Sequence, residues 1–476
     1  MKVCVLQPDY STSSVDYKNY DPPRDLSRLL PGHQVDHIFL NKLYTYKQLS
    51  ELRNKGYDIF VNLCEGYLDW DIPSIDVIYA LELLKLPFTG PTSRLYDPTK
   101  ELMKYVAFTE AINTPRYALI DSIDTMEQQV AKLRFPLFVK PAKAGDSLGI
   151  DDQSKVTNLT ELKLTAKKIL KEFDLLLIEE YVEGREFTVL VAADPSNIKH
   201  CKTFKPVEYI FPQGFAYKTY ALKTSELHTE ANIPCQDPAL EAELRAAAQR
   251  IFRGFGGVGY ARLDFRVNAN NEIYFLEINF TCSIFYSDGY EGSADYILKF
   301  DGIGQAGFLQ HIITEGIYRY KSQQKKYTIK GDSINGFGIY ANQSIATHEI
   351  IFNNEARSHR IVNKKYVDEH WTPEEKDLFA RYAVPLSKHI YILWDDDPSV
   401  WAPQNHSCDP NTAYDGLNVI ATRAIANNEE LTLDYATLLD ETMEPFDCQC
   451  GSANCRGRVT GSIGNTMELR ASRLDF

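Results

Sequence analysis

With 476 residues and 44% hydrophobic content, the chain is too long for a single core and reads as two to four domains. Its formal net charge of −14, from 51 basic and 65 acidic side chains, excludes a general nucleic-acid surface, which needs a basic stripe. The charge serves mainly solubility, although an acidic face also suits basic peptides or amines.

The chain opens with "MKVCVLQPDY", read as a β-strand running into a polar turn, with no basic region followed by a long apolar stretch. No signal peptide is expected. Residues 1–100 alternate short apolar runs ("KVCVLQ", "DIFVNLCEG") with helical patterns, which implies a small α/β layer. Residues 101–320 form a longer mixed region with strand-like segments "PLFVKPA", "LLLIEEYV", "EFTVLVAAD" and "EIYFLEINF". "KSQQKKY", residues 321–327, is polar, basic and non-periodic, and is expected to be a linker. Residues 328–445 are rich in short strands and turns, 446–460 hold a cysteine group, and 461–476 form a polar tail. No apolar run reaches about eighteen residues, so no membrane span is expected. Outside the C-terminal group the nine cysteines show no paired spacing, which suits a reducing compartment and makes the cytoplasm the expected location.

"RLDFRVNANNEIYFLEINF" presents Asp264, Glu277 and Asn279 on two strands joined by a turn. Side chains alternate with period two, so Glu277 and Asn279 share a face, and all three oxygens can converge in a hairpin. Hard oxygen ligands of this kind suit Mg²⁺. Upstream, "FPLFVKPAKAGDSLGI" sets Lys140 at a strand end before a loop able to turn backbone N–H groups toward phosphates. "LLLIEEYVEGREFTVLV" is a strand, a polar hinge and a second strand; the hinge can offer Glu179 and the backbone from Glu180 to Val182 to an adenine, with Glu186 reaching the ribose.

In this order the segments resemble the ATP-grasp superfamily, and within it the D-alanine:D-alanine ligase branch, over about Met1 to Tyr320. The resemblance implies two ATP, phosphate-contacting lysines, Lys104 and Lys140, with Lys218 as a further contact. It implies Glu179 and Val182 at the adenine, Glu186 at the ribose, Asp264, Glu277 and Asn279 around two Mg²⁺, and Arg262 steadying the transferring phosphoryl group. The activity it implies is carboxylate:amine ligation through an acyl phosphate, on amino-acid-like or peptide substrates. A homodimer is also consistent with such relatives. One departure stands out: the family follows E-x-N with a proline-glycine turn that shapes the acceptor site, and here the sequence reads "EINFTCSIFYSDGYEGSAD". D-alanine as substrate does not carry over with the nucleotide chemistry.

"CQCGSANC", Cys448 to Cys455, is a C-x-C-x₄-C that lacks one thiolate for a closed tetrahedral zinc site. Cys408, in "NHSCDPN", is the other cysteine of this region, and "EELTLDYA" follows. These segments resemble SET-domain lysine methyltransferases with a cysteine-rich post-SET tail, over about Tyr327 to Val459. That resemblance implies Cys408 as fourth ligand beside Cys448, Cys450 and Cys455 around a structural Zn²⁺. It implies S-adenosylmethionine against Gly336 and Gly338 in "SINGFGIYANQSIATHEII", contacts from Asn405 and His406, and the Tyr435 hydroxyl beside the transferred methyl group. Two departures put histone-like peptide recognition in question. Leu433 stands where relatives carry a phenylalanine or tyrosine, and "WAPQ" before N-H-S lacks an arginine-aromatic pair.

The expected architecture is therefore a multidomain α+β chain: a pre-ATP-grasp α/β layer, an ATP-grasp domain, and a β-rich SET domain with a post-SET zinc site. Three functional readings follow. One is a bifunctional ligase and N-methyltransferase acting on small molecules or peptides. The second is a protein lysine methyltransferase, acting on a basic protein or peptide, whose ATP-grasp region recruits or senses nucleotide. The third is a ligase beside an inactive SET scaffold. Trp70, Trp371, Trp394 and Trp401 are read as packing or channel walls, "WDDDPS" (Trp394 to Ser399) as a solvated turn, and Cys4, Cys64, Cys201, Cys235 and Cys282 as buried hydrophobes.

Overall fold

The computed structural model describes residues 1–11, 13, 21–66, 71–143, 149–197, 200–215, 217, 231–332, 336–356, 359–393, 404–441 and 444–461. Lys218, Trp70, Trp401 and the Trp394–Ser399 acid cluster lie outside them. The chain divides into two compact units, Met1–Gln323 and Gln324–Phe476.

The first unit begins with strands β1 (Lys2–Pro8), β2 (Gln34–Leu40) and β3 (Ile59–Asn62), a parallel sheet in the order β2-β1-β3. A second sheet follows, in which β4 (Tyr117–Ile120), β5 (Leu137–Pro141), β6 (Lys155–Val156) and β7 (Leu176–Glu180) pair antiparallel in the order β4-β7-β5-β6. The third and largest sheet contains β8 (Arg185–Ala193), β9 (Cys201–Thr203), β10 (Val207–Tyr209), β11 (Asn232–Pro234), β12 (Tyr260–Val267) and β13 (Ile273–Asn279). Its order is β11-β10-β8-β12-β13, with β9 also on β8.

Strand β8 shows why this sheet sits between two layers. Phe187, Val189 and Val191 enter one core with Leu244, Ala248 and Ile251, while Leu190 and Ala192 enter another with Ile297, Leu298, Phe308 and Ile312. Alternation with period two sends successive side chains to opposite faces, and helices cover both. The helix Pro238–Gly254 starts where the Asp237 side chain accepts from the Ala239 and Leu240 N–H groups, with proline at the first position. It buries Leu240, Leu244, Ala247, Ala248 and Ile251, one stripe of a 3.6-residue period.

The helix Gly304–Gln323 runs through Lys321, Ser322 and Gln323, and β14 begins at Tyr327. The linker expected over 321–327 is thus corrected to residues 324–326: "YKSQ" contains no glycine or proline, and lysine and glutamine propagate a helix readily.

The second unit contains short strands: β14 (Tyr327–Asp332) pairs with β15 (Gly336–Ala341), β22 (Asn418–Ala421) lies between β16 (Ile350–Phe352) and β21 (Thr412–Asp415), and β19 (Ile390–Leu393) lies between β17 (Arg360–Asn363) and β18 (Val384–Ser387). Two-residue strands β20 (Asn405–His406) and β23 (Thr432–Leu433) pair in parallel, bringing "NHSC" beside "LTLDY". Strands β24 (Phe446–Asp447) and β25 (Arg458–Val459) frame the last three cysteines. Trp371 packs in a small core with Phe379 and Tyr391. Cys4, Cys64, Cys235 and Cys282 are buried and Cys201 is partly so, all as free thiols. Among the described residues no helix is long and apolar enough to cross a membrane.

Candidate functional sites

In the first unit the β12–β13 ladder sets Asp264 opposite Glu277 and Arg262 opposite Asn279. The Asn279 amide lies 3.5 Å from both Asp264 Oδ2 and Glu277 Oε1, so the three side chains converge on one spot. Two carboxylates and an amide at this spacing fit Mg²⁺. Arg262 adjoins the group, its Nη2 3.2 Å from Asp264 Oδ2. Burial alone would lower its pKa, but Asp264 and its other anionic neighbours raise it, so the guanidinium stays charged.

A second group assembles at the ends of β5 and β7. Glu179 is 4% exposed and receives Lys140 Nζ at 2.6 Å and Lys104 Nζ at 2.9 Å. Burial pushes the Glu179 pKa up, but the two ammonium groups override it and hold the carboxyl at about 2. The lysines diverge: burial wins at Lys104 and lowers its pKa, whereas at Lys140 burial is outweighed by Glu179 and Glu277, which raise it. Two lysines share the Glu179 carboxylate, and Lys140 also feels Glu277 of the oxygen cluster, so the triad adds positive charge beside that cluster. That charge fits a phosphate chain.

The triad engages Glu179 and both lysines, and it brings in a residue the sequence reading passed over. Lys104 also donates to Thr114 Oγ1 at 3.0 Å and to the Pro115 carbonyl at 3.3 Å, facing inward. Lys100, one helical turn earlier, reaches Glu277 Oε2 at 3.2 Å. Thr99 caps this helix through the Leu102 N–H, and the four-residue spacing puts both lysines on one face. The i,i+4 lysine pair in "TKELMK" was the available signal.

The hinge after β7 is held by Arg266, also missed. Its guanidinium donates to the Val182 carbonyl at 3.2 Å and the Tyr181 hydroxyl at 2.9 Å, and lies 3.1 Å from Glu186. Glu186 is therefore at the hinge, in register with Arg266. Glu180 turns elsewhere, its side chain accepting the Arg134 N–H at 3.0 Å and leaving only its backbone to the hinge. Gly184 has φ +145°, and an added Cβ would lie 2.0 Å from the Val267 carbonyl. Only glycine allows this approach.

In the second unit the sulfurs of Cys408, Cys448, Cys450 and Cys455 all lie within 4.8 Å of one another. Four thiols at this spacing fit a tetrahedral Zn²⁺. The Cys408 N–H, followed by Ser452, pulls the Cys450 thiol down to about 5, whereas at Cys448 the Cys450 N–H is outweighed by burial and the neighbouring thiols, which push the thiol up to about 12. His406 adjoins the cluster, its Nε2 3.4 Å from Cys408 Sγ and its Nδ1 accepting the Tyr435 N–H at 3.1 Å. Burial lowers the His406 pKa, consistent with a neutral ring. The Tyr435 hydroxyl donates to the Gln404 carbonyl at 2.5 Å.

Asn405 donates to the Phe337 carbonyl at 3.0 Å and to Glu430 at 2.8 Å, tying β20 to the glycine-rich strand β15. The two glycines have different reasons to be there. A Cβ on Gly338 would meet Glu430 Oε1 at 2.4 Å, whereas Gly336 has φ +83° with open space around it. Gly336 is thus the one that leaves room at the surface, and Gly338 makes room for Glu430. Leu433 is buried in the core of this unit.

The family model "D-ala D-ala ligase C-terminus" matches residues 103–284, and the model "SET domain" matches 336–436. The D-alanine–D-alanine ligase of Aquifex aeolicus (strain VF5) is 30% identical over 252 residues, 52% of this chain and 79% of that protein. That of Bordetella petrii is 29% identical over 240 residues, 49% of this chain and 69% of that protein. Among solved structures, the D-alanine–D-alanine ligase from Coxiella burnetii aligns with a TM-score of 0.50 at 17% identity, over 68% of this chain and 97% of that one. It shares the fold.

Proposed function

This chain belongs to the D-alanine–D-alanine ligase family and carries a SET domain as well, and on that basis we propose a bifunctional enzyme: an ATP-dependent carboxylate:amine ligase joined to an S-adenosylmethionine-dependent N-methyltransferase. The observation that carries the reading is the intact convergence of Asp264, Glu277 and Asn279 beside Lys140 and Arg262. A module that only recruited a partner would have no chemical need for this set.

A carboxylate is a poor electrophile because its charge repels an amine. Transfer of the ATP γ-phosphoryl group to the carboxylate gives an acyl phosphate and ADP; the amine then attacks its carbonyl carbon, expels inorganic phosphate and loses a proton. Lys140 and Lys100 hold the phosphate chain, and Arg262 steadies charge that builds on the transferring group and the tetrahedral carbon. Bound Mg²⁺ adds neutralisation of phosphate charge during in-line transfer. Arg266 fixes the hinge so that the backbone of Glu180 to Val182 meets the adenine and Glu186 the ribose. Glu179 sets the spacing of Lys104 and Lys140.

In the SET unit, Gly336 and the Asn405–His406 segment receive S-adenosylmethionine, which supplies an electrophilic methyl group. Tyr435 borders the channel and orients the incoming amine, which must be neutral to attack; a desolvated aromatic channel favours that form over an ammonium of pKa ~10.4. Four thiolates holding Zn²⁺ brace the C-terminal segment. The acceptor segment after Asn279 lacks the family's proline-glycine turn, so a carboxylate and an amine other than D-alanine are the proposed ligase substrates. Free thiols and the demand for ATP suit the cytoplasm.

The test is mass spectrometry of small molecules after incubating the full chain with ATP, Mg²⁺, S-adenosylmethionine and pooled amino acids. The expected result is a condensed species that gains methyl masses only with S-adenosylmethionine. Absence of ADP, condensed product and methylated small molecules would overturn the reading and turn attention to protein substrates.

A further inference from the structure

Tyr435 sits on a single helical turn, Tyr435–Leu438, too short to hold itself in place. Its hydroxyl is held by the Gln404 carbonyl, and two further routes bear on its backbone turn, both ending on the same sulfur. In the first, the Arg456 N–H donates to Cys408 Sγ at 3.4 Å while its guanidinium donates to Asp434 Oδ1. That same carboxylate oxygen accepts the Ala436 N–H at 3.1 Å and so caps the turn. In the second, His406 Nδ1 accepts the Tyr435 N–H, which leaves the ring proton on Nε2, pointing at Cys408 Sγ 3.4 Å away.

We infer that Arg456 is a positioning residue which, with His406, couples the metal state of the four-cysteine cluster to the placement of Tyr435. A zinc-bound Cys408 thiolate is a fixed acceptor for both donors, and groups that hold a metal ligand are in turn oriented by it. Loss of the metal frees the sulfur to move, and both routes slacken together. The Arg456–Asp434 pair is partly exposed, with side chains 41% and 13% accessible, so its worth lies in geometry more than in stability. The catalytic meaning rests on the methyltransferase reading; the coupling itself does not.

The test is hydrogen–deuterium exchange of the full chain, zinc-loaded and zinc-stripped, following the peptide that spans Asp434 to Leu439. Stripping the wild type is expected to speed its exchange about tenfold, a local opening rather than global unfolding. Zinc-loaded Arg456→Ala is expected to exchange faster than the wild type, part of the way to the stripped rate because the His406 route remains, and Arg456→Lys to recover part of the protection. Asp434→Asn breaks the same pair without touching the cysteine segment and keeps a capping side chain, so it should match Arg456→Ala. A chromogenic chelator should find a full complement of zinc in all three variants. Wild-type protection in zinc-loaded Arg456→Ala and Asp434→Asn would overturn the inference. So would loss of zinc from Arg456→Ala with wild-type exchange in Asp434→Asn, because Arg456 would then serve the cluster alone. Methyl transfer should fall in kcat with donor KM within about threefold, the pattern of a misplaced rather than an unbound group. The expected exchange pattern in a chain that transfers no methyl group would sink the methyltransferase reading and leave the coupling intact.

Discussion

Asp264 and Glu277 face each other across one antiparallel pair, and the Asn279 amide lies 3.5 Å from both carboxylates. Arg262 and Lys100 each pair with one of these acids, and in the proposed ligase the remaining oxygens hold Mg²⁺. Asp264→Asn or Glu277→Gln should lower ADP release by about two orders of magnitude or more. Methyl transfer from S-adenosylmethionine to an amine substrate supplied directly should be unchanged. Loss of both activities in either variant would show that the nucleotide site controls the SET unit.

Lys100 and Lys104 separate by role although they share a helix face. Lys100→Ala removes a charge beside Glu277 and should raise KM for ATP or lower kcat while leaving thermal stability within about 0.5 kcal/mol. Lys104→Ala breaks a buried ion pair and strands part of Glu179, so it should destabilise the first unit by about 3 kcal/mol. Thermal unfolding with steady-state ATP kinetics on both variants reads the difference.

Glu179 gives the first unit an acid-labile contribution. Its folded pKa, about 2, lies below the ordinary 4.5, so the unfolded chain binds the proton more readily. The stabilisation is complete above about pH 4.5 and is lost as pH falls toward about 2. Glu179→Gln should flatten the acid limb of stability against pH over that window. It should also cost stability at neutral pH, because Lys104 and Lys140 lose their shared partner.

Cys455→Ser, or chelation of the wild type, should release zinc, lower the melting temperature of the second unit and leave ATP-dependent chemistry untouched. Metal analysis beside calorimetry checks it. Unaltered zinc content after the substitution would mean that three thiolates suffice.

Tyr435→Phe keeps the ring packed against His406 and Phe446 and loses the hydroxyl that meets the Gln404 carbonyl. S-adenosylmethionine affinity should stay within about threefold while methyl transfer falls by about two orders of magnitude, the mark of an interaction made mainly in the transition state. Calorimetric binding and single-turnover methylation separate the two.

What the sequence determined by itself is the chemistry that lies in short local patterns. Asp264, Glu277 and Asn279 share one hairpin, where period-two alternation sets which side chains share a face. The C-x-C-x₄-C group spans only eight residues, and N-H-S-C and L-D-Y are each a short unbroken run. Tertiary structure alone decided the contacts that join distant segments. Lys100 meets Glu277 across 177 positions, and Glu179 gathers Lys104 and Lys140 from two other elements. Arg266 grips the Val182 hinge from 84 positions away, and Arg456 reaches Asp434 across 22. Local spacing carries no information about such partners, because the register of strand on strand and the packing of helix on sheet bring them together. The linker was misjudged for a related reason: polar, basic composition resembles a connector, yet without glycine or proline the helix continues to Gln323. Residue type set what each group can do, and the fold set which groups act together.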